Sequence, residues 1–296
     1  MAESSADRWF LLINRFFVTL LLIGIAYPLI YVISASISDP AEVNSGRMWL
    51  WPMEITWEGY ARVFRNGEIW LGYRNTVFYT LFGTFLNLLV TIPCAYALTR
   101  AEIKGRNLVM AYFVLTMFFN GGLIPTFLVV KSLGMVDTVW ALLIPNLVAV
   151  WNMIVTRTFF QSNIPRELEE AAEMDGCSPS RLLVQLVLPL AKPVIAVMAL
   201  FYGVAHWNQY FAALIYLSNR DLFPLQMFLR EILVLNQMSD VMMMNGTDLE
   251  AMARQAQIAD IIKYAVMIVS ALPLLAVYPF IQRFFVKGIL IGSIKG

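Results

Sequence analysis

The residues able to do chemistry in this 296-residue chain collect in two places. One is a run of carboxylates at 161–190: Glu167, Glu169, Glu170, Glu173 and Asp175. The other is His206-Trp207-Asn208-Gln209-Tyr210, a polar cluster inside an apolar segment. His206 is the only histidine, which excludes a histidine-based metal cluster. Cys94 and Cys177 have neither disulfide nor zinc-ligand spacing, so no metal site is expected. No G-x-x-x-x-G-K-[ST] run is present; if ATP drives this protein, another chain hydrolyses it. No acidic or basic side chain lies deep in an apolar segment. That argues against a proton-coupled carrier, which keeps a costly buried charge for function, and against a membrane-embedded hydrolase.

The polar cluster has two readings. Neutral polar residues routinely hydrogen-bond between membrane helices. Indole and phenol rings beside an amide also suit the apolar faces and hydroxyls of a carbohydrate, which would place Trp207, Asn208 and Tyr210 on a translocation pathway. The residues alone leave both readings open.

The 161–190 stretch is charge-rich between two apolar blocks, so it must lie in water beside a membrane. Its local signals predict two short helices. Asn163 is a candidate N-cap, Pro165 suits a first turn, and Glu167, Glu169 and Glu170 sit where a helix N-terminus favours negative charge. Gly176 stops that helix, at a position expected to need a positive φ. Ser178-Pro179 restarts a second helix. Leu168, Ala171, Ala172 and Asp175 share one face whose small middle would let another surface come close.

These stretches require a membrane frame. The chain is 59% hydrophobic and 14% charged, with a net charge of +1 and a mean hydropathy of +0.68, outside the range of soluble domains. The expected fold is an all-α integral membrane protein, a single domain over 1–296 with six transmembrane helices at about 12–37, 75–98, 108–130, 139–160, 194–217 and 261–285. The first apolar run could be a signal peptide with Ser34-Ala35-Ser36 as its cleavage site. It is about 20 residues long, though, and reads as a retained span anchored by Arg8, Trp9 and Arg15. The third span is interrupted at Asn120-Gly121-Gly122 and Pro125, exposing backbone that neighbouring helices or a water-lined cavity must satisfy.

Loops 38–74 and 218–260 read as external, the second with short helices at 225–235 and 248–258. The basic connection with Arg100, Lys104 and Arg106 reads as cytoplasmic. Twelve of the 21 Lys and Arg residues fall on the cytoplasmic side and nine outside, mostly in the two long loops where the rule has least force. Both termini are expected inside. Nothing in the charge suggests nucleic-acid binding.

Glu170-Ala171-Ala172, three residues, Gly176, nine residues, then Leu186-Val187-Leu188-Pro189 resembles the E-A-A-x3-G-x9-I-x-L-P signature of ABC-importer permeases. Its one departure, Leu186 for isoleucine, conserves volume. Further stretches resemble the carbohydrate-uptake branch, which includes the maltose-importer permeases: Ile124-Pro125, 133–138, Trp207-Asn208 and the tail 287–296. Residues 118–125 look most like the subgroup for alginate and other uronate oligosaccharides.

The resemblance implies a type I permease bundle in the bacterial cytoplasmic membrane. Its implied partners are a second, different permease, two ATPase subunits that bind ATP and Mg, and an extracytoplasmic solute-binding protein. It also implies that Glu170, Ala171, Ala172, Gly176, Leu186 and Pro189 couple the chain to an ATPase, and that Lys287, Gly288, Gly292 and Lys295 contact the ATPase pair. The alternatives are a secondary carrier or facilitator for a small polar solute, and a structural membrane scaffold.

Overall fold

The computed structural model describes residues 5–243, 262–279 and 282. Every regular element among them is helical. The chain divides into two compact units, one formed by 1–69 with 229–273, the other by 70–228 with 274–296.

In the first unit, α1 (Ser5–Ser36) runs for 32 residues. Its most apolar window contains no buried residue, so that surface is left for lipid or another protein. After it the chain is pinned by hydroxyls. Ser34 Oγ donates to the Leu50 carbonyl at 2.6 Å, and Ser38 Oγ accepts from Met53 N at 3.1 Å. Asp39 caps the short α2 (Pro40–Asn44), accepting from Ala41 N at 2.8 Å. A small core of Ala35, Val43 and Met48, flanked by Tyr31 and Tyr264, completes this region. The expected external loop 38–74 is thus ordered, and it carries α3 (Glu58–Arg65).

The central helix of the second unit is α4 (Gly67–Ala97), 31 residues. It starts eight residues before the expected 75, because Asn66 Oδ1 accepts from Glu68 N at 2.9 Å and nothing in 67–74 breaks a helix. Its N-terminal part gathers the turn around 220–225: Asn75 Nδ2 donates to the carbonyls of Asp221 and Phe223, Tyr79 to that of Leu222, and Thr76 Oγ1 accepts from Leu225 N. That turn leads into α14 (Leu225–Met243), which is longer than the expected 225–235.

The expected third span is α5 (Arg106–Phe118) and α6 (Leu123–Ser132), bent by 116° at the Asn-Gly-Gly break. The expected fourth, 139–160, is not one helix. It is α7 (Trp140–Leu143) and α8 (Val150–Asn163), separated by irregular backbone around Pro145. The helix pair of the central loop forms as α9 (Arg166–Met174) and α10 (Pro179–Leu182). The latter continues through a π-helical turn, Leu183–Val187, into α11 (Leu188–Leu190).

An 84° bend then opens α12 (Lys192–Trp207), and α13 (Phe211–Tyr216) follows. The expected fifth span, 194–217, is therefore broken at Asn208–Tyr210. Last comes α15 (Ile262–Pro279). Among the described residues three helices are long and apolar enough to cross a membrane, or up to five if each bent pair counts as one span. The helix expected at 248–258 and the tail with Lys287, Gly288, Gly292 and Lys295 lie outside the described residues.

A core of Tyr96, Met153, Phe160, Leu182, Val187, Val194, Met198 and Tyr202 ties the lower part of α4 to α8 and α10–α12. This core holds the helix pair against the spans.

Candidate functional site

The carboxylate stretch folds around its stop. Gly176 has φ +76°, its N–H donates to the Glu173 carbonyl at 2.9 Å, and the Cys177 N–H donates to that of Ala172 at 2.9 Å. This is a Schellman pair, which satisfies two orphan carbonyls of α9 and needs a left-handed residue in the middle. Ser178 Oγ then accepts from Arg181 N at 3.4 Å, capping α10 as expected. Asn163 does not cap α9. It ends α8, with its Nδ2 donating to the Phe159 carbonyl at 3.0 Å, and the α9 N-cap is Pro165 without a side-chain bond.

No residue of α9 is buried. The expected common face splits: Ala172 turns onto the core, whereas Ala171, Asp175 and Leu168 stay exposed, and Met174 is 90% exposed. Glu170 is exposed and takes part in none of the ion pairs seen among the described residues. Leu186 packs on the core, and Pro189 is exposed.

Arg100 is the residue that sequence reasoning undervalued, treating it only as a topological charge. Its guanidinium meets Glu102 at 3.1 Å, Glu169 at 2.8 Å, and Glu173. Burial alone would push this guanidinium down; Glu173, Tyr96, Glu169 and Glu102 outweigh it and hold the group firmly protonated.

The second cluster sits where two broken segments meet. A cavity of about 450 Å³ is lined by Asn146, Ala149, Tyr202, Ala205, His206, Asn208, Gln209, Tyr210, Phe211 and Ala212. Irregular backbone at membrane depth is tolerated where protein groups satisfy it, and here they do. Asn87 of α4, 1% exposed, donates to the carbonyls of Asn146 and Leu147 at 2.9 and 2.8 Å. The Tyr202 hydroxyl accepts from Ala149 N at 3.1 Å and pairs with Thr91 at 2.7 Å.

Both amide hydrogens of Asn87 being committed, its Oδ1 accepts from His206 Nε2 at 2.7 Å. Gln209 reaches the Leu142 carbonyl at 3.1 Å, and Asn208 Nδ2 turns back onto Val204 at 2.9 Å. These amides compete with the helix and end α12.

Two of the three expected pathway residues, Asn208 and Tyr210, line the cavity. Trp207 is not among the lining residues; it is buried, edge-on to Tyr73 with centroids 6.1 Å apart. Asn87 was missed, although an amide in an otherwise apolar span is itself a signal. The lining offers amides, two phenols, an imidazole and a further aromatic ring. Among the described residues it contains no Lys, Arg, Asp or Glu, and no group of three His, Cys, Asp or Glu side chains could hold a metal.

Residues 69–291 match the model of the binding-protein-dependent transport system inner membrane component family. The chain belongs to this family. The permease is 42% identical to protein LplC of Bacillus subtilis strain 168 over 91% of this chain and 89% of that one. It is 40% identical to the polygalacturonan/rhamnogalacturonan transport system permease protein YtcP of the same organism, over 91% and 92%. Its fold resembles a solved chain of a bacterial ABC transporter involved in the import of the acidic polysaccharide alginate, with 34% identity, a TM-score of 0.84 and 96% and 99% coverage. The chain is thus a membrane permease subunit of an ABC importer, and ATP hydrolysis belongs to separate ATPase subunits. Membership implies ATPase and solute-binding partners. It displaces the carrier and scaffold alternatives.

Proposed function

We propose that this permease carries an oligosaccharide, of the uronate class, inward across the bacterial cytoplasmic membrane. It pairs with a second, different permease and two ATPase subunits that bind ATP and Mg, and it receives its load from an extracytoplasmic solute-binding protein. Both termini and α9 face the cytoplasm. The observation that carries this reading is the cavity at the broken segments, where Asn208, Gln209, Asn146 and Tyr202 offer neutral hydrogen-bonding groups beside the Tyr210 and Phe211 rings. Such a wall suits saccharide hydroxyls and ring faces. The uronate class is supported by the substrates named for the alginate importer and for YtcP. On this subunit the sugar is engaged through hydroxyls rather than carboxylates, since the lining holds no fixed cation among the described residues. The loop cation Arg220, by contrast, stacks over Phe223 and Phe228 at 5.8 and 5.5 Å.

The docking role belongs to α9: Glu170 meets a basic residue of the ATPase, while Ala171 permits close approach and Gly176 aims the following helix. Leu186 and Pro189 seat that second helix, and the tail residues Lys287, Gly288, Gly292 and Lys295 contact the ATPase pair. The test is uptake by the complete transporter in proteoliposomes, comparing labelled oligouronates with neutral oligosaccharides of equal length. ATP-dependent uptake of the oligouronate, reduced in Asn208→Ala, is expected. Uptake of neither class would refute the reading.

A further inference from the structure

We propose that Arg100 is a positioning residue that clamps the ATPase-docking helix to the inner end of α4. The inference rests on the docking role assigned to α9 and adds how that helix is tied to the spans. Arg100 lies three residues beyond the end of α4. Its Nη1 meets Glu169 at 2.8 Å and its Nη2 meets Glu173, two carboxylates one turn apart on α9. Gripping both restrains α9 against rolling about its axis. Nε takes Glu102 at 3.1 Å, and the Tyr96 ring lies 5.8 Å from the guanidinium carbon.

Exposed ion pairs contribute little, but this set is sheltered: the side chains of Arg100 and Glu169 are 14% and 17% exposed. The peptide that carries Arg100 is itself held. Arg106 donates to the Thr99 carbonyl at 2.7 Å and Arg157 to that of Leu98 at 3.1 Å. Ten residues back from the end of α4 at Ala97, about 15 Å by helical rise, Asn87 holds the cavity backbone. A displacement of α9 is therefore delivered to the helix that also shapes the cavity. The neighbouring carboxylates divide the work: Glu169 and Glu173 hold the helix, and Glu170 is left to the partner.

The experiment uses the complete transporter in proteoliposomes and reads substrate transported per ATP hydrolysed. Arg100→Gln is expected to lower that ratio about tenfold, as loss of charge-assisted bonds does. Arg100→Lys, which keeps the charge but lacks the fork that holds two carboxylates at once, is expected to give an intermediate ratio. A parental ratio in Arg100→Gln, or a ratio in assembled Arg100→Lys no higher than that of Arg100→Gln, would overturn the proposal. If Arg100→Gln does not assemble, Glu169→Gln with Glu173→Gln decides instead, since it leaves the arginine stem in place: a lowered ratio supports the clamp and a parental ratio removes it. The unmutated transporter is the separate control. Absence of ATP-driven uptake there would defeat the functional reading, and the clamp with it.

Discussion

Gly176 holds φ +76°, and a Cβ built there would meet nothing within 4 Å. The constraint is therefore backbone conformation alone, which costs an L-residue about 1–2 kcal/mol. Gly176→Ala is expected to weaken recovery of the ATPase subunits with the purified permease, and the β-branched Gly176→Val to weaken it further; equal recovery from both would show that the turn does not aim the second helix. Gly83 is constrained differently: a Cβ would lie 2.5 Å from His206 Nε2. Gly83→Ala should push the imidazole off Asn87 and lower stability by about 1–3 kcal/mol, seen as a lower melting temperature in detergent. Asn87→Ala, which strips the carbonyls of Asn146 and Leu147 of their donor, should cost about 1–3 kcal/mol in the same assay. Gly176 and the Ser178 cap were legible because their partners lie within a few residues. Asn163 misled because its side chain had a local alternative, the Phe159 carbonyl one turn back.

At the scale of elements, the bend after α5 was legible from Asn120-Gly121-Gly122. The breaks in 139–160 and 194–217 were not. Their interrupting residues, Pro145-Asn146 and Asn208-Gln209, are in the sequence, but the groups that satisfy the freed backbone arrive from elsewhere: Asn87 is 59 positions from Asn146, and Gln209 is 67 from Leu142. Another such long-range tie is Asp137, itself at φ +60°, whose carboxylate accepts from Ser218 N at 2.9 Å and Asn219 N at 2.8 Å. Those bonds, that from Asn219 first, hold its pKa below the usual carboxylate range. A depressed folded-state pKa means the tie is fully present above the ordinary value of about 3.9 and is lost as pH falls through the lowered one. Protection of amides 218 and 219 from hydrogen exchange, taken relative to the intrinsic rate at each pH, should accordingly be high at neutral pH, fall on acidification, and be lost at neutral pH in Asp137→Ala. Unchanged protection in that variant would show that the carboxylate is not the anchor.

For the whole molecule, the proposed orientation puts loop 38–74 outside and α9 inside. Single cysteines introduced at the exposed positions Ala61 and Gly176 into a chain lacking Cys94 and Cys177 should react with an impermeant maleimide from the outside and from the inside, respectively. Labelling of position 176 in intact spheroplasts would invert the topology. The membrane character and helical class were legible in composition, and the family in the spacing from Glu170 to Pro189. The cavity was not, because it is lined by two separated segments, 146–149 and 202–212, and tied by Asn87 from a third. The most direct measurement is ATP-dependent uptake of a labelled oligouronate by proteoliposomes containing this permease, its partner permease, the ATPase subunits and the binding protein, with Glu170→Ala run beside the parent. Uptake that requires ATP and the binding protein, and that falls in Glu170→Ala by about tenfold as the docking contact weakens, is the predicted result. Uptake that proceeds without ATP, or that Glu170→Ala leaves at the parental rate, would contradict it.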